Sequence, residues 1–272
     1  MCVLVLLPPS EGKTVPDGGA PVDPASLGLP SLTAQRERVL DALVAASARA
    51  DAIDVLGVTP GLAAEVARNV DLRSAPAGPA SSVYTGVLYE AAGFGRLTAA
   101  QTRRAATSVL TVSALWGAVS PVDRIPAYRL SMGTTLPGVG ALATAWRPHL
   151  TAALDERASG DVVVDCRSAS YAAAWRPAAR TEWLAVKVLR EVDGKRSVVS
   201  HNAKHTRGVL TGHLLRRRTA PTTARGVVAA AQELVGTTLA TAVGTGLPSN
   251  LLEVSLHPRP ARGPRTLELV VS

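Results

Sequence analysis

Val3-Leu4-Val5-Leu6-Leu7, closed by Pro8-Pro9 and followed by Ser10-Glu11-Gly12-Lys13-Thr14, is the stretch that decides the fold. An unbroken apolar run with β-branched residues describes a strand buried on both faces, and such strands belong to sheets covered by helices. Proline ends the ladder, and the polar residues after it sit where a rigid strand hands the chain to a loop. Gly12 lets a ligand come close to the backbone, while Lys13 with Ser10 or Thr14 offers a hold on phosphate. The GxxxxGK[ST] spacing of a P-loop is absent.

The same pattern recurs along the chain. The apolar run at 108–112 leads into Ser113-Ala114-Leu115-Trp116-Gly117, and DVVVD at 161–165 leads into Cys166-Arg167-Ser168-Ala169-Ser170-Tyr171. Residues 183–191 and 197–200 read as paired strands about an Asp193-Gly194 turn. That hairpin delivers the chain to its densest polar stretch, Ser200, His201, Asn202, Lys204, His205 and Arg207, which reads as a loop before the apolar run resumes at Val209. Lys204, Arg207 and a charged His201 or His205 favour an anionic ligand. The plain alternative is a solvated basic loop.

Helical patterns occupy 31–48, a stretch opened by Thr59-Pro60, 98–106, 209–218 and 223–234. Two short alternating strands, LLEVSL and TLELVV, close the chain around the Pro- and Arg-rich HPRPARGPR. The expected fold is α/β (mixed α+β), with a central mixed sheet flanked by helices in a single domain over 1–272. A small helical lobe around 116–155 fits the same pattern. LPGVG at 136–140, before a helical run, matches the turn of a helix-hairpin-helix. There the amides around Gly138 and Gly140 and the next helix's N-terminus would grip a phosphate without reading sequence.

The 272 residues carry a net charge of +8, mostly from arginine, which holds phosphate bidentately. A surplus of that size points to an anionic partner, either nucleic acid or a phosphorylated small molecule. Aromatic residues are only 3%, which argues against a stacking platform for single strands and for backbone contacts. Cys2 and Cys166 form neither a CxxC motif nor a disulfide framework, so a reduced, cytoplasmic compartment is expected. The first residues are too short an apolar run for a signal peptide, and no other run approaches the length of a membrane span, so no membrane partner is expected.

Taken in order, several blocks resemble the YaaA peroxide-stress protein family. They are Pro9-Ser10 with Lys13, Val83-Tyr84-Thr85-Gly86, Ser113 to Gly117 with Pro121, Asp123 and Ile125, and Tyr128-Arg129-Leu130-Ser131-Met132-Gly133. Asp165-x-x-Ser168-x-x-Tyr171 and Ser200-x-x-Ala203-Lys204-x-x-Arg207-Gly208 complete the set. The resemblance implies a cytosolic protein that protects DNA from iron-dependent oxidative damage. It also implies a mixed α/β fold with a positively charged cleft, a helix-hairpin-helix element, and binding to duplex or distorted DNA. The chain departs from the family near its end, where residues 236–249 lack the expected aromatic- and acid-rich segment.

Two readings follow. In the first, the chain binds DNA without sequence specificity through Ser10, Lys13, Arg129, Arg167, Ser168, Asn202, Lys204 and Arg207, aided by Gly138 and Gly140. In the second, it is an enzyme acting on a nucleotide or other phosphorylated small molecule, with Tyr84, Asp165 or His201 moving a proton. No cofactor is implied. A bound iron has candidate ligands in His201, His205, His213, Asp165 and Cys166, but no motif with metal-ligand spacing supports it, and no metal site is expected.

Overall fold

In the computed structural model, described over residues 3–198, 200–241 and 248–272, the predicted apolar runs become neighbours in one sheet. Its strands are β1 (Val3–Leu7), β2 (Val109–Ser113), β3 (Gly117–Val119), β4 (Val162–Asp165), β5 (Glu182–Val192), β6 (Lys195–Val198), β7 (Thr238–Thr241), β8 (Pro248–Leu256) and β9 (Arg265–Val271). Their order is β7-β8-β9-β5-β4-β1-β2-β3, with β6 also paired to β5. The five strands β9-β5-β4-β1-β2 run parallel, and antiparallel strands flank them. Every residue of β1, β2 and β4 is buried, as an unbroken apolar run requires. The fold is therefore mixed α/β with a central mixed sheet flanked by helices.

The helices that matter here are α1 (Thr33–Ser47), α2 (Val87–Ala92), α3 (Ala99–Ser108), α4 (Leu142–Arg157), α5 (Ser200–Arg216) and α6 (Ala224–Gln232). Thr98 starts α3 with a reciprocal capping box to Gln101, and Thr223 caps α6 through the Gly226 amide. The Asp193-Gly194 turn forms as expected, both residues having positive φ.

Two expectations change. The polar stretch after β6 is not a loop: from Ser200 it is the opening of the seventeen-residue helix α5. The turn at 136–140 is a short hairpin, Thr135–Leu136 paired with Gly140–Ala141, that leads into α4. The segment before it, 126–134, is non-helical, so the first helix of a helix-hairpin-helix is missing there. Gly138 and Gly140 have φ of 77° and 91°, which explains the glycines, and the Gly138 carbonyl accepts from Arg38 at 2.9 Å.

Two sequence blocks hold the scaffold. The fully buried Arg36 donates to the carbonyls of Trp116 (3.0 Å), Gly28 (2.6 Å) and Ala118 (2.9 Å), which ties the loop before α1 to β3. Asp123 accepts from the Gly28 and Ser120 amides. Trp146 of α4 donates to the Ala114 carbonyl at 2.7 Å and lies where a Cβ on Gly117 would stand, 2.6 Å from its ring.

The edges of β5 position the site. Its whole pairing with β9 lies on one edge. The opposite edge is shared by β4, which pairs with residues 182–185, and β6, which pairs with 189–192. Between them, among the described residues, the edge carries no strand, and Arg207 from α5 fills the notch, donating to the Val186 carbonyl at 2.8 and 3.2 Å.

Candidate functional site

The strand exits converge. At the carboxyl ends of β1 and β4, a cavity of about 430 Å³ is lined by Ser10, Glu11 and Gly12, by residues 85–89, by Ser168 and Tyr171, and by Lys204 and Arg207 of α5. Ligands of open α/β sheets bind at this end of the strands. The wall is firmly held. Ser10 Oγ donates to the Gly12 carbonyl at 2.5 Å and accepts from the Thr85 amide at 3.0 Å. The Tyr89 hydroxyl donates to the Pro8 carbonyl at 2.8 Å and meets Thr111 at 3.0 Å.

Behind this wall lies a chain of buried hydroxyls. Tyr84 and Tyr128 are 2.9 Å apart, Tyr128 meets Ser113 Oγ at 2.6 Å, and Ser113 Oγ accepts from the amides of Leu115 and Trp116. Burial pushes both tyrosines well above the ordinary phenol range, so they stay protonated. Tyr84, a proton-carrier candidate from the sequence, does not line the cavity and is 1% exposed.

Lys13 packs against these rings, its Nζ 4.3 Å from the Tyr128 ring centre and 3.0 Å from the Ser10 carbonyl. Burial lowers its pKa from 10.5 to about 8; Glu11 opposes the shift and Arg129 reinforces it. The folded state thus binds fewer protons than the unfolded chain between those two values, so Lys13 makes stability rise as pH rises from about 8 toward 10.5. Urea midpoints measured across that window should climb more steeply for the wild type than for Lys13→Met. Parallel pH profiles would place the amine in a more solvated setting.

The other predicted cations divide by their partners. Arg129 is paired with Glu11 (3.1 Å) and Glu65 (3.5 Å), so its charge is neutralised at the cavity rim. Arg167 is fully buried in a bidentate pair with Asp165, at 2.9 and 2.7 Å, and Asp165 also accepts from the Arg167 amide and from Trp183 at 3.0 Å. Asp165, a proton-carrier candidate from the sequence, and Arg167, a phosphate-binding candidate, are thus bound to each other, and both lie at the wall of a larger neighbouring cavity. Lys204 is exposed and makes no ion pair among the described residues. The side chains of His201 and Asn202 lie outside the described residues, as does Cys2. Cys166 is buried beside Arg207, and burial pushes its thiol up to about 12. Gly138 and Gly140 line none of the cavities described here. Among the described residues no three His, Cys, Asp or Glu side chains gather as a metal site, and no helix is long and apolar enough to cross a membrane.

Arg207 also lines a second, larger cavity of about 770 Å³, together with Arg176, Arg259 and Arg262. These three are exposed, and Arg176 and Arg262 form no ion pair among the described residues. In sequence, HPRPARGPR reads only as a Pro- and Arg-rich spacer between strands. Its arginine density is the signal that points to the groove.

A mixed sheet whose parallel strands end at a hydroxyl-lined, cationic cavity, beside a second cavity lined by arginines, defines the class: an α/β protein with a polar cleft at the carboxyl end of those strands. The family model described as peroxide stress protein YaaA matches residues 3–229. A UPF0246 protein of Streptomyces coelicolor is 51% identical over 225 residues, covering 80% of this chain and 85% of the relative. A UPF0246 protein of Corynebacterium efficiens is 40% identical over 210 residues, covering 76% and 83%. The chain belongs to the YaaA peroxide stress protein family. The matched region ends before β7, β8 and β9, and therefore before Arg259 and Arg262.

Proposed function

We propose that this chain binds duplex or distorted DNA without sequence specificity as part of a peroxide-stress response, shielding it from iron-dependent damage. The observation that carries this reading is the set of cations lining two adjoining cavities. Arg129 and Arg167 are neutralised by carboxylates, whereas Lys204, Arg176 and Arg262 are left without one at two cavities that share Arg207. Among the described residues, cations without a carboxylate partner also occur elsewhere, Arg38, Arg103 and Arg225 among them, so the support lies in Lys204, Arg207, Arg176, Arg259 and Arg262 lining two adjoining cavities. Backbone phosphate, spaced regularly along a strand, suits such a row. The turn at 136–140 has no part in this reading, because it lacks the first helix of the phosphate-gripping motif.

The test is anisotropy with a labelled duplex titrated with salt. Binding should weaken with log[salt]. Lys204→Ala with Arg207→Ala should cut the slope by roughly two, since each phosphate that a cation no longer neutralises removes about 0.9. Absence of binding at about 50 mM salt, where such interactions are strong, would remove the reading.

A second reading is favoured by the smaller cavity. At about 430 Å³ it lies in the range of small-ligand sites, and Ser10, Thr85, Ser168 and Tyr171 bring hydroxyls to it. An enzyme acting on a phosphorylated small molecule would use it this way. Asp165 is locked to Arg167 and Tyr84 does not line the cavity; Glu11, the carboxylate among its lining residues, is paired with Arg129 at 3.1 Å. Binding is therefore the better supported activity.

A further inference from the structure

The two cavities are neighbours with a common side chain, and they differ in kind. The larger is lined by Arg176, Arg259 and Arg262, whereas the smaller is a recess between the β1 exit, residues 85–89 and α5. Arg207 stands in both, fixed by its two hydrogen bonds to the Val186 carbonyl in the notch of the sheet. We propose that they form one composite site. A single unpaired nucleotide occupies the smaller cavity, with its phosphate on Arg207 and Lys204, while the adjoining sugar-phosphate backbone lies along Arg176, Arg259 and Arg262.

Three observations support this, and it rests on the nucleic-acid reading above. First, a stacked base pair is too wide for a recess of about 430 Å³, but one nucleotide is within the size of small-ligand pockets. Second, the recess offers what a nucleotide carries partners for. Lys204 and Arg207 face a phosphate. Thr85 and Ser168 bring hydroxyls for sugar and base edges, the Glu11 carboxylate at the rim is paired with Arg129 at 3.1 Å, and the buried ring of Tyr171 provides an apolar side. Third, Arg207 is preorganised. Its guanidinium is held by a backbone carbonyl and not by a carboxylate, so its full charge remains for a ligand while its position is set by the sheet. The low aromatic content fits one lodged nucleotide and not a stacking platform along a strand.

The preferred nucleic acid is then one in which a nucleotide is already out of its pair, because that form avoids the cost of unpairing. The test compares a perfect duplex with the same duplex carrying one bulged 2-aminopurine, a base whose fluorescence rises when it leaves the stack. Wild-type protein should bind the bulged duplex at least about tenfold more tightly, and the 2-aminopurine signal should increase on binding. Ser168 is exposed, and its hydroxyl meets only Ser170 at 3.2 Å, so Ser168→Trp can fill the recess with the fold intact, which circular dichroism checks. That variant should reduce the preference for the bulge to about unity, an avoided unpairing cost no longer being felt. Lys204→Gln should lower it as well. Equal affinity for both duplexes in the wild type, or a 2-aminopurine signal unmoved by Ser168→Trp, would overturn the composite site while leaving groove binding in place. If neither duplex binds at low salt, the nucleic-acid reading fails first. Calorimetry with a deoxynucleoside 5′-monophosphate then decides the recess alone: heat that disappears in Lys204→Gln would retain it as a free-nucleotide site, and no heat would remove it.

Discussion

Asp165→Ala should destabilise the protein by about 3–5 kcal/mol, the usual consequence of leaving a buried charge without its partner. The Arg167 side chain is 0% exposed and the Asp165 side chain 4%. Removal of the carboxylate strands the guanidinium, the Arg167 amide and the Trp183 indole N–H at once. Only the Tyr171 carbonyl, at 3.3 Å, would still accept from Arg167. Chemical denaturation of the single variant and of Asp165→Leu with Arg167→Met checks the cause. The double variant should recover most of the loss, because two apolar residues of similar volume leave no buried charge. A single variant within about 1 kcal/mol of wild type, the worth of a surface ion pair, would show that water reaches the pair.

Gly208→Val should be nearly as damaging, for a steric reason. Helices α2 and α5 cross with their backbones in close approach. A Cβ at Gly208 would overlap the Leu88 carbonyl and stand 2.8 Å from the Ala91 Cβ, and one at Gly212 would be 2.5 Å from the Ala92 carbonyl. Backbone cannot step aside as a side chain tip can, so α5 must shift. A cost of about 3 kcal/mol, the upper part of the overpacking range, corresponds to a fall in Tm of about 6–12 °C for a chain of this size. Because Lys204 and Arg207 ride on the same helix, the DNA affinity proposed above should fall even well below the melting transition. A variant with unchanged Tm would mean that the two helices can separate freely. Arg216, which donates to the Ala92 and Gly93 carbonyls at 2.9 and 2.8 Å, holds the far end of the same helix crossing.

Much of the sheet is legible in the chain. VLVLL, the run ending at Val112 and DVVVD are readable because a strand buried on both faces has no polar residue to place, and period is then irrelevant. The 183–198 hairpin is readable because Asp193-Gly194 has local chemistry that specifies the turn. The stretch at 200–207 reads as a loop and folds as a helix. Its polar residues are those of a helix opening beside a cleft, and hydrophobic periodicity is silent where a helix faces a cavity. The turn at 136–140 carries the glycines of a helix-hairpin-helix, yet what precedes a turn is settled by packing and not by the turn.

The sequence by itself determined that buried strands would end in polar clusters, and that the chain's charge would favour an anion. Those properties are local or summed, and they survive any arrangement of the elements. Tertiary structure alone decided which charges remain available. Arg129 meets Glu65 from a distant part of the chain, and Asp165 at the end of β4 pairs with Arg167 where packing buries both. Arg207, by contrast, finds a carbonyl in the gap between β4 and β6 and keeps its charge. Pairing energies depend on distance and on exclusion of water, and neither is written in the order of residues.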